Sequence, residues 1–375
     1  MSLDFIPVNQ PLLDGNEAKY LAECIRSGWI SSEGPFVRQL EAGVARRLGR
    51  KYGVAVCNGS AALDVAIAAL DLKKGDEVIL PTFTIISCAA AIIRAGATPV
   101  VVDAFPDTWN MDVEQVAAKI TSRTRAIMVV HIYGLPVDMH PILDLASKYR
   151  LHIIEDAAEV IGQTYNERAC GSFGAISTLS FYPNKLITTG EGGMVLTNDD
   201  HLADRCRSLR NLCFQKRRFV HEGLGWNFRM SNLQAALGVA QLERIDEFVQ
   251  RKRQIGRRYN ELLKGIEGLQ LPVQRTDYSE NVYWVYGIVL DDKLPFDAEG
   301  GMERLLRHQI QTRPFFWPMH EQPVFRRMEL LEGVQCPVAE RLARRGLYLP
   351  SGLALTDSQQ VRVADAVKAI VREPH

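Results

Sequence analysis

The stretch AIMVVHIYGLPVDMHPILDLASKYRLHIIE, residues 126–155, joins two apolar runs through a segment with helical periodicity. The runs 126–131 and 151–155 are short and almost free of charge, as strands buried on both faces are. Between them, residues 141–149 place apolar side chains at the spacing of an amphipathic helix. A strand, a helix and a second strand in this order predict two parallel strands joined by a crossover helix.

The same alternation extends over the first two thirds of the chain. It predicts a mostly parallel sheet with helices on both faces; the further strands are residues 54–57, 77–80, 98–102, 177–181 and 193–197, and a further helix is 61–72. Residues 234–259 have the pattern of one long helix. The remainder alternates strand-like and helical runs (282–290, 298–309 and 357–371). We therefore predict a large domain over residues 1–250 and a smaller α/β domain over 251–375.

The composition is that of a globular protein without a net charge. Of 375 residues, 47% are hydrophobic and 23% are charged, and 44 basic side chains balance 44 acidic ones. Such a chain has no global field for nucleic acid or an anionic membrane, so we expect neither partner. No apolar run approaches the roughly 20 residues of a membrane-spanning helix, and no secretory signal is visible. Seven scattered cysteines without a CxxC pair predict neither disulfides nor a metal site, and favour the cytoplasm.

Two segments place chemically capable groups at the predicted carboxyl ends of strands, where open parallel sheets bind ligands. Glu155 and Asp156 end a buried strand, and a carboxylate there needs a cation or a strong hydrogen-bond donor. A helix cap or a salt bridge is the structural alternative. In the turn 57–63 (CNGSAAL), Gly59 and Ser60 fit a phosphate site at a helix start, although serine is also an ordinary N-cap.

A third segment, 177–185 (STLSFYPNK), runs from a strand into Lys185, and the glycine-rich stretch 190–193 follows it. A sheltered lysine can form a Schiff base, whereas a loop lysine taken alone is usually a solvated charge. A phosphate site, a buried acid and a sheltered lysine together meet the requirements of pyridoxal phosphate (PLP): the lysine forms the Schiff base, and the acid keeps the ring nitrogen protonated. We therefore predict PLP as the cofactor.

Ordered motifs over nearly the whole chain resemble a known family, the PLP-dependent nucleotide-sugar aminotransferases of the DegT/DnrJ/EryC1/StrS type. The motifs are LDGNE (13–17), SGWISS (27–32), EDAAE (155–159), SFYPNK (180–185), GEGG (190–193), WNFRMSN (226–232) and RPFFWPMH (313–320). The resemblance implies the aspartate-aminotransferase-like fold (fold type I), with a seven-stranded, mostly parallel sheet in the large domain. It also implies a homodimer with both active sites at the subunit interface.

The same resemblance assigns expected roles to matching residues. Lys185 and Asp156 are the expected catalytic residues, as the Schiff-base lysine and the partner of the ring nitrogen. The other expected cofactor contacts are Glu159 near the phenolic oxygen, Gly59, Ser60 and Ser180 at the phosphate, Ile85 over the ring, and Asn227 reaching the phosphate from the neighbouring subunit. Ile85 stands where family members commonly carry an aromatic residue, so ring stacking is lost at this position.

The resemblance also bears on the reaction. Lys185 favours transamination over the sugar 3-dehydration of members that carry histidine instead. The likeness is greatest to members that move an amino group from L-glutamate to C4 of GDP-4-keto-6-deoxymannose, although Phe219 and Val220 stand where Tyr and Trp are common. The expected substrate contacts are Trp29, Arg218, His221 and His320, and the family's products commonly enter bacterial surface polysaccharides. The alternatives are a UDP- or dTDP-linked keto sugar, aminated at C4 or C3, and a non-catalytic regulator or scaffold.

Overall fold

The computed structural model describes residues 4–214, 217 and 219–372. Its strands are β1 (Tyr52–Val56), β2 (Glu77–Pro81), β3 (Thr98–Val102), β4 (Thr124–Val130), β5 (His152–Asp156), β6 (Thr164–Tyr165), β7 (Arg168–Ala169), β8 (Ile176–Ser180), β9 (Gly193–Thr197), β10 (Leu269–Gln270), β11 (Tyr286–Leu290), β12 (Arg313–Pro314) and β13 (Gly346–Leu349).

The helices alternate with these strands. They are α1 (Glu17–Ser27), α2 (Pro35–Arg47), α3 (Gly59–Ala69), α4 (Ile86–Arg94), α5 (Val113–Lys119), α6 (Met139–Tyr149), α7 (Asp200–Arg210), α8 (Asn232–Glu243), α9 (Ile245–Leu263), α10 (Ala298–Arg307), α11 (Pro323–Arg327), α12 (Pro337–Arg345) and α13 (Asp357–Arg372). Within the described ranges, no helix has the length and apolarity that crossing a membrane requires.

The large sheet has seven strands in the order β1-β9-β8-β5-β4-β2-β3. The pairs β2–β3, β2–β4, β4–β5 and β5–β8 are parallel, whereas β9 runs antiparallel to both of its neighbours. The predicted seven-stranded, mostly parallel sheet is confirmed. A second sheet, β10-β11-β13-β12, is antiparallel throughout and forms the smaller C-terminal part.

Successive residues of β4 show how the large sheet is buried. Ala126 and Met128 pack in the apolar cluster that includes α3 and α4, whereas Ile127 and Val129 pack in the cluster that includes α2, α6 and α8. Neighbouring side chains of a strand point to opposite faces. Helices therefore cover both faces of the sheet, as the alternation of strands and helices predicts.

The single long helix predicted over 234–259 is wrong, because the chain breaks at Arg244 into α8 and α9. The backbone of Arg244 leaves helical geometry (φ −111°, ψ 12°), and its guanidinium binds both Asp14 and Glu247. The break lets α8 pack on α1 and α2 while α9 packs on α13. One straight helix could not pack on α1 and α2 at one end and on α13 at the other.

The strand predicted over 282–290 begins only at Tyr286. Tyr283 has a left-handed backbone (φ 53°), and its amide donates to Asn281 Oδ1 at 2.7 Å. The preceding Val282 amide donates to the carbonyl of Gly134, in the large part of the molecule, at 3.1 Å. This turn carries the chain from the large sheet to the small one.

A third apolar cluster fills the smaller part. It includes Tyr259, Tyr286 and, from the N-terminal segment, Ile6, which forms a parallel bridge with Ile310. Helix α9 contributes to two clusters, with Phe248 in one beside the large sheet and Tyr259 in the third. A domain division at residue 250 falls within this helix and stays a prediction.

Candidate active site

The carboxyl edge of the large sheet borders a cavity of about 610 Å³. Its walls come from the ends of β5 and β8, the starts of α3 and α4, and aromatic side chains of the smaller part. Seven sequence-predicted residues line it: Gly59, Ser60, Ile85, Asp156, Glu159, Ser180 and Lys185. Residues up to 126 positions apart thus meet where parallel sheets bind ligands.

Asp156 is the last residue of β5 and is 3% exposed. The amide of Ala158 donates to its Oδ1 at 3.1 Å, and the thiol of Cys88 donates to its Oδ2 at 3.3 Å. Burial and the negative charge of Asp156 raise the pKa of Cys88 well above its ordinary value, so the thiol stays protonated and can donate. These two donors fix the orientation of the carboxylate beside the cavity.

Lys185 and Glu159 form a buried pair on the cavity wall. Lys185 Nζ lies 3.6 Å from Glu159 Oε1 and 3.7 Å from the centre of the Trp284 ring. Burial lowers the pKa of Lys185, and the negative charges of Glu159 and Asp156 oppose that shift. Burial raises the pKa of Glu159 to about 7, although Lys185 and the backbone amide of Tyr133 act against it. The pair can therefore hold or exchange a proton near neutral pH.

The start of α3 forms the polar side of the cavity. Asn58 caps the helix by accepting from the amide of Ala61 at 2.8 Å, so α3 begins at Gly59, two residues before the predicted start. The first amides of a helix have no partner within it and favour an anion. A Cβ on Gly59 would lie 2.8 Å from Ser180 Cβ, so only glycine leaves this corner open. The Ser60 hydroxyl lies 2.8 Å from that of Ser87.

Two buried polar atoms of the cavity walls lack a hydrogen-bond partner among the described residues. They are Thr178 Oγ1 and Asn184 Oδ1. A buried polar group without a partner costs free energy unless a ligand or water satisfies it. The cavity therefore suits an occupant with several polar groups and a terminal anion, which is the chemistry of PLP.

The comparisons with known proteins agree with this geometry. The family model described as DegT/DnrJ/EryC1/StrS aminotransferase family matches residues 11–368. The chain belongs to this family. It is a PLP-dependent nucleotide-sugar aminotransferase, as the sequence motifs predict.

Individual relatives cover nearly the whole aminotransferase. GDP-perosamine synthase of Vibrio cholerae is 41% identical over 97% of this chain and 98% of its own, and that of Escherichia coli O157:H7 is 40% identical over 97% and 98%. A crystal structure of DesI, determined in the presence of its TDP-sugar product, is 31% identical with a TM-score of 0.89, covering 99% of this chain and 94% of its own. The fold and the general reaction follow from these relatives, whereas the sugar does not.

Ile85 lies at the start of α4, lines the cavity and is 43% exposed. The aromatic side chains that line the cavity are Tyr182, Trp284, Phe316 and Tyr348. In the aminotransferase, Ile85 would therefore contact the cofactor ring through an aliphatic side chain, without the stacking that an aromatic residue provides.

Glu155, the neighbour of Asp156, does not line the cavity. It accepts from the backbone amides of Gly171 and Phe173 and lies 3.1 Å from His131 Nε2, in a fully buried setting. These donors lower its pKa although burial opposes them. His131 Nδ1 accepts from the amide of Val137 at 3.0 Å, so both ring nitrogens have partners and this histidine has a structural role.

Four of the remaining predicted residues lie away from this cavity in the single chain. Trp29 is half exposed, and His221 Nδ1 lies 2.7 Å from the carbonyl of Leu212. Asn227 Oδ1 accepts from the Arg229 guanidinium at 3.0 and 3.1 Å. His320 is buried between Thr82 Oγ1 at 2.8 Å and Glu340 Oε1 at 3.1 Å. Arg218 lies outside the described residues. The substrate contacts stay predictions.

Sequence reasoning misses the aromatic wall and Cys88. Trp284 precedes β11, where an aromatic residue is typical of core packing, yet it contacts Lys185 and donates from Nε1 to the carbonyl of Asn184 at 2.8 Å. Phe316 lies within the quoted motif 313–320, which is the one sequence signal that could have found it. Cys88 looks like an ordinary apolar residue of α4, and only the fold places it on Asp156.

Proposed function

We propose that this aminotransferase transfers the amino group of L-glutamate to C4 of GDP-4-keto-6-deoxymannose and forms GDP-perosamine. The observation that carries the proposal is the 41% and 40% identity to two GDP-perosamine synthases over nearly complete chains. Family membership alone leaves the nucleotide and the sugar open, because a few side chains of a site decide its specificity.

Lys185 and Asp156 are the catalytic residues in this proposal. Bound PLP supplies a sink for the electron pair that remains when a proton leaves the substrate carbon. Lys185 would accept that proton and return it, since burial favours its neutral, proton-accepting form. Asp156 would hold the ring nitrogen in its protonated form, and the donors of Ala158 and Cys88 fix the orientation of its carboxylate.

The positions of the remaining predicted cofactor contacts agree with the roles proposed for them. Gly59 and Ser60 would hold the phosphate at the start of α3, together with Ser180, whose side chain adjoins Gly59. Glu159 would lie near the phenolic oxygen, because it shares the wall with Lys185. Ile85 would cover the ring by apolar contact.

A homodimer belongs to the proposal as well. Large apolar side chains are exposed on the single chain, among them Ile25, Trp29, Phe219 and Leu224, the last of which is 96% exposed. Trp29 and its neighbour Ile30 are both about half exposed, and exposed apolar groups that lie together favour burial against another chain. Asn227, Trp29 and His221 lie outside the cavity of their own chain, which supports roles for them in the site of the neighbouring subunit.

The decisive experiment is mass spectrometry of the product formed with L-glutamate and each of three keto sugars, linked to GDP, dTDP or UDP. We expect an aminated product from GDP-4-keto-6-deoxymannose and none of comparable yield from the others. Preference for a dTDP sugar, the class named for the DesI structure, would overturn the sugar assignment and keep the reaction. No product from any sugar, with an unchanged visible spectrum on adding L-glutamate, would favour the regulator or scaffold.

A further inference from the structure

A second cavity, of about 380 Å³, adjoins the active-site cavity. The two share three wall residues, Tyr182, Asn184 and Tyr348. Asn184 directly precedes Lys185, and its buried Oδ1 is one of the unpartnered atoms described above. The second cavity therefore lies next to the lysine that is expected to react.

The walls of the second cavity have an anion-binding character. Among the described residues they contain one cation, Arg313, and no acid. Gln311 Oε1 accepts from the amide of Val8 at 3.1 Å, and Ser351 Oγ accepts from the amide of Tyr286 at 3.2 Å. In both contacts the side chain acts as an acceptor. The amide N–H groups of Gln311 and the hydroxyl hydrogen of Ser351 take no part in them.

The small sheet places Arg313 next to Tyr348, which lines both cavities. The two residues pair across β12 and β13. Directly opposed residues of antiparallel strands project from the same face, a few ångströms apart. Burial raises the pKa of Tyr348 to about 12, and the positive charge of Arg313 opposes that rise, so this charge reaches the active-site wall.

We propose that Arg313 binds the distal carboxylate of the dicarboxylic amino donor. The inference rests on the proposed function for the identity of that donor. The α-carboxylate is attached to the reacting carbon and must lie in the Lys185 cavity, whereas the distal carboxylate is two methylene groups further away. Arg313 lies one cavity away from Lys185 and faces no competing acid there. A guanidinium binds a carboxylate through two parallel hydrogen bonds.

The test separates the donor half-reaction from the sugar. PLP-loaded Arg313→Gln, Arg313→Lys and wild-type protein are mixed with L-glutamate or its neutral analogue L-glutamine, without any keto sugar, and the visible spectrum is followed. We expect Arg313→Gln to raise the half-saturating concentration of L-glutamate roughly 10- to 100-fold, the range of a lost charge-assisted hydrogen bond. The response to L-glutamine should stay within about threefold, and Arg313→Lys should lie between. Arg327→Gln, an exposed arginine on α11, is the control.

Three results would overturn the subsite. The first is an unchanged half-saturation for L-glutamate in Arg313→Gln. The second is an equal loss for both donors, which places Arg313 on the α-carboxylate. The third, read in a separate experiment with the keto sugar added, is an effect confined to the keto-sugar half-reaction, which assigns the arginine to the diphosphate. Glutarate binding, read from the spectrum of the PLP-loaded protein, tests the subsite without turnover: wild type should bind it and Arg313→Gln should not, even if the sugar assignment fails.

Discussion

Glu159 Oε1 lies 3.6 Å from Lys185 Nζ in the wall of one cavity, where the two side chains are 7% and 11% exposed. Burial disfavours each charged form, while each charge favours the other, so their titrations depend on one another. The lowered pKa makes the neutral form of the lysine accessible, while Glu159 stays in contact with it as an acid. This balance is what a residue that accepts and returns a proton requires.

Lys185→Ala should leave the fold intact and abolish turnover. The lysine is the group that moves the proton in the proposed reaction, and loss of a general acid–base typically costs 10²- to 10⁴-fold in rate. We expect a loss of at least about 10³-fold in product formation, with a circular dichroism spectrum like that of wild type. Full activity in a folded Lys185→Ala protein would remove Lys185 from the mechanism.

Glu159→Gln should lower the pKa of Lys185 further, because the negative charge that supports its protonated form is removed. Only the neutral amine reacts with the aldehyde of PLP. The pH midpoint for the rate of PLP capture by the apoprotein should therefore move to lower pH, as followed by stopped-flow absorbance.

Glu191→Gln is the matched control for that shift. Glu191 lines the same cavity but is exposed to solvent, so removing its charge should move the midpoint much less. A midpoint that moves equally in both variants would mean that the overall charge of the cavity, and not the buried pair, controls the lysine.

Gly59→Ala should weaken PLP binding, since the added Cβ would lie 2.8 Å from Ser180 Cβ and close the corner at the start of α3. We expect the dissociation constant of PLP to rise at least about tenfold, equivalent to about 1.4 kcal/mol. Gly301→Ala is the control, because its Cβ would lie no closer than 3.2 Å to a neighbour, the end of the Leu290 side chain, with Leu347 and Phe296 farther away. Unchanged PLP affinity in Gly59→Ala would place the phosphate elsewhere.

The sequence predicts the part of the site that rests on local geometry. Asp156 and Ser180 end strands of a parallel sheet and Gly59 begins a helix, so their meeting at one edge follows from the strand–helix pattern. Trp284 and Arg313 come from the smaller part, and their place depends on how the two sheets pack, which no local pattern encodes.

The break between α8 and α9 shows the same limit. Apolar periodicity continues across residue 244, and nothing local requires a break there. At the break, the Arg244 side chain binds Asp14, which lies 230 residues away in sequence. The expected contact of Asn227 also lies outside local geometry, because the resemblance predicts that it reaches the cofactor phosphate of the neighbouring subunit. Contacts between residues distant in sequence therefore override local periodicity.

Lys252, on α9, should make stability depend on pH. It is 3% exposed, its Nζ donates to the carbonyl of Ser351 at 2.5 Å, and burial lowers its pKa to about 7 from an ordinary value near 10.5. Between these values the unfolded chain binds the proton and the folded chain does not, so this group makes the free energy of unfolding rise from pH 7 to about 10.5. Below pH 7 the buried lysine lowers the free energy of unfolding by its full amount, at most about 5 kcal/mol.

Lys252→Met keeps the length of the side chain and removes the titrating group. At pH 7 we expect the methionine variant to be more stable than wild type, and the advantage should shrink as the pH rises toward about 10.5, above which the wild-type lysine is neutral in both states. Urea unfolding at several pH values measures the difference. Lys264→Met, at the exposed end of the same helix, is the control and should show no such trend. An advantage independent of pH would mean that Lys252 titrates normally in the folded protein and that its replacement acts through packing.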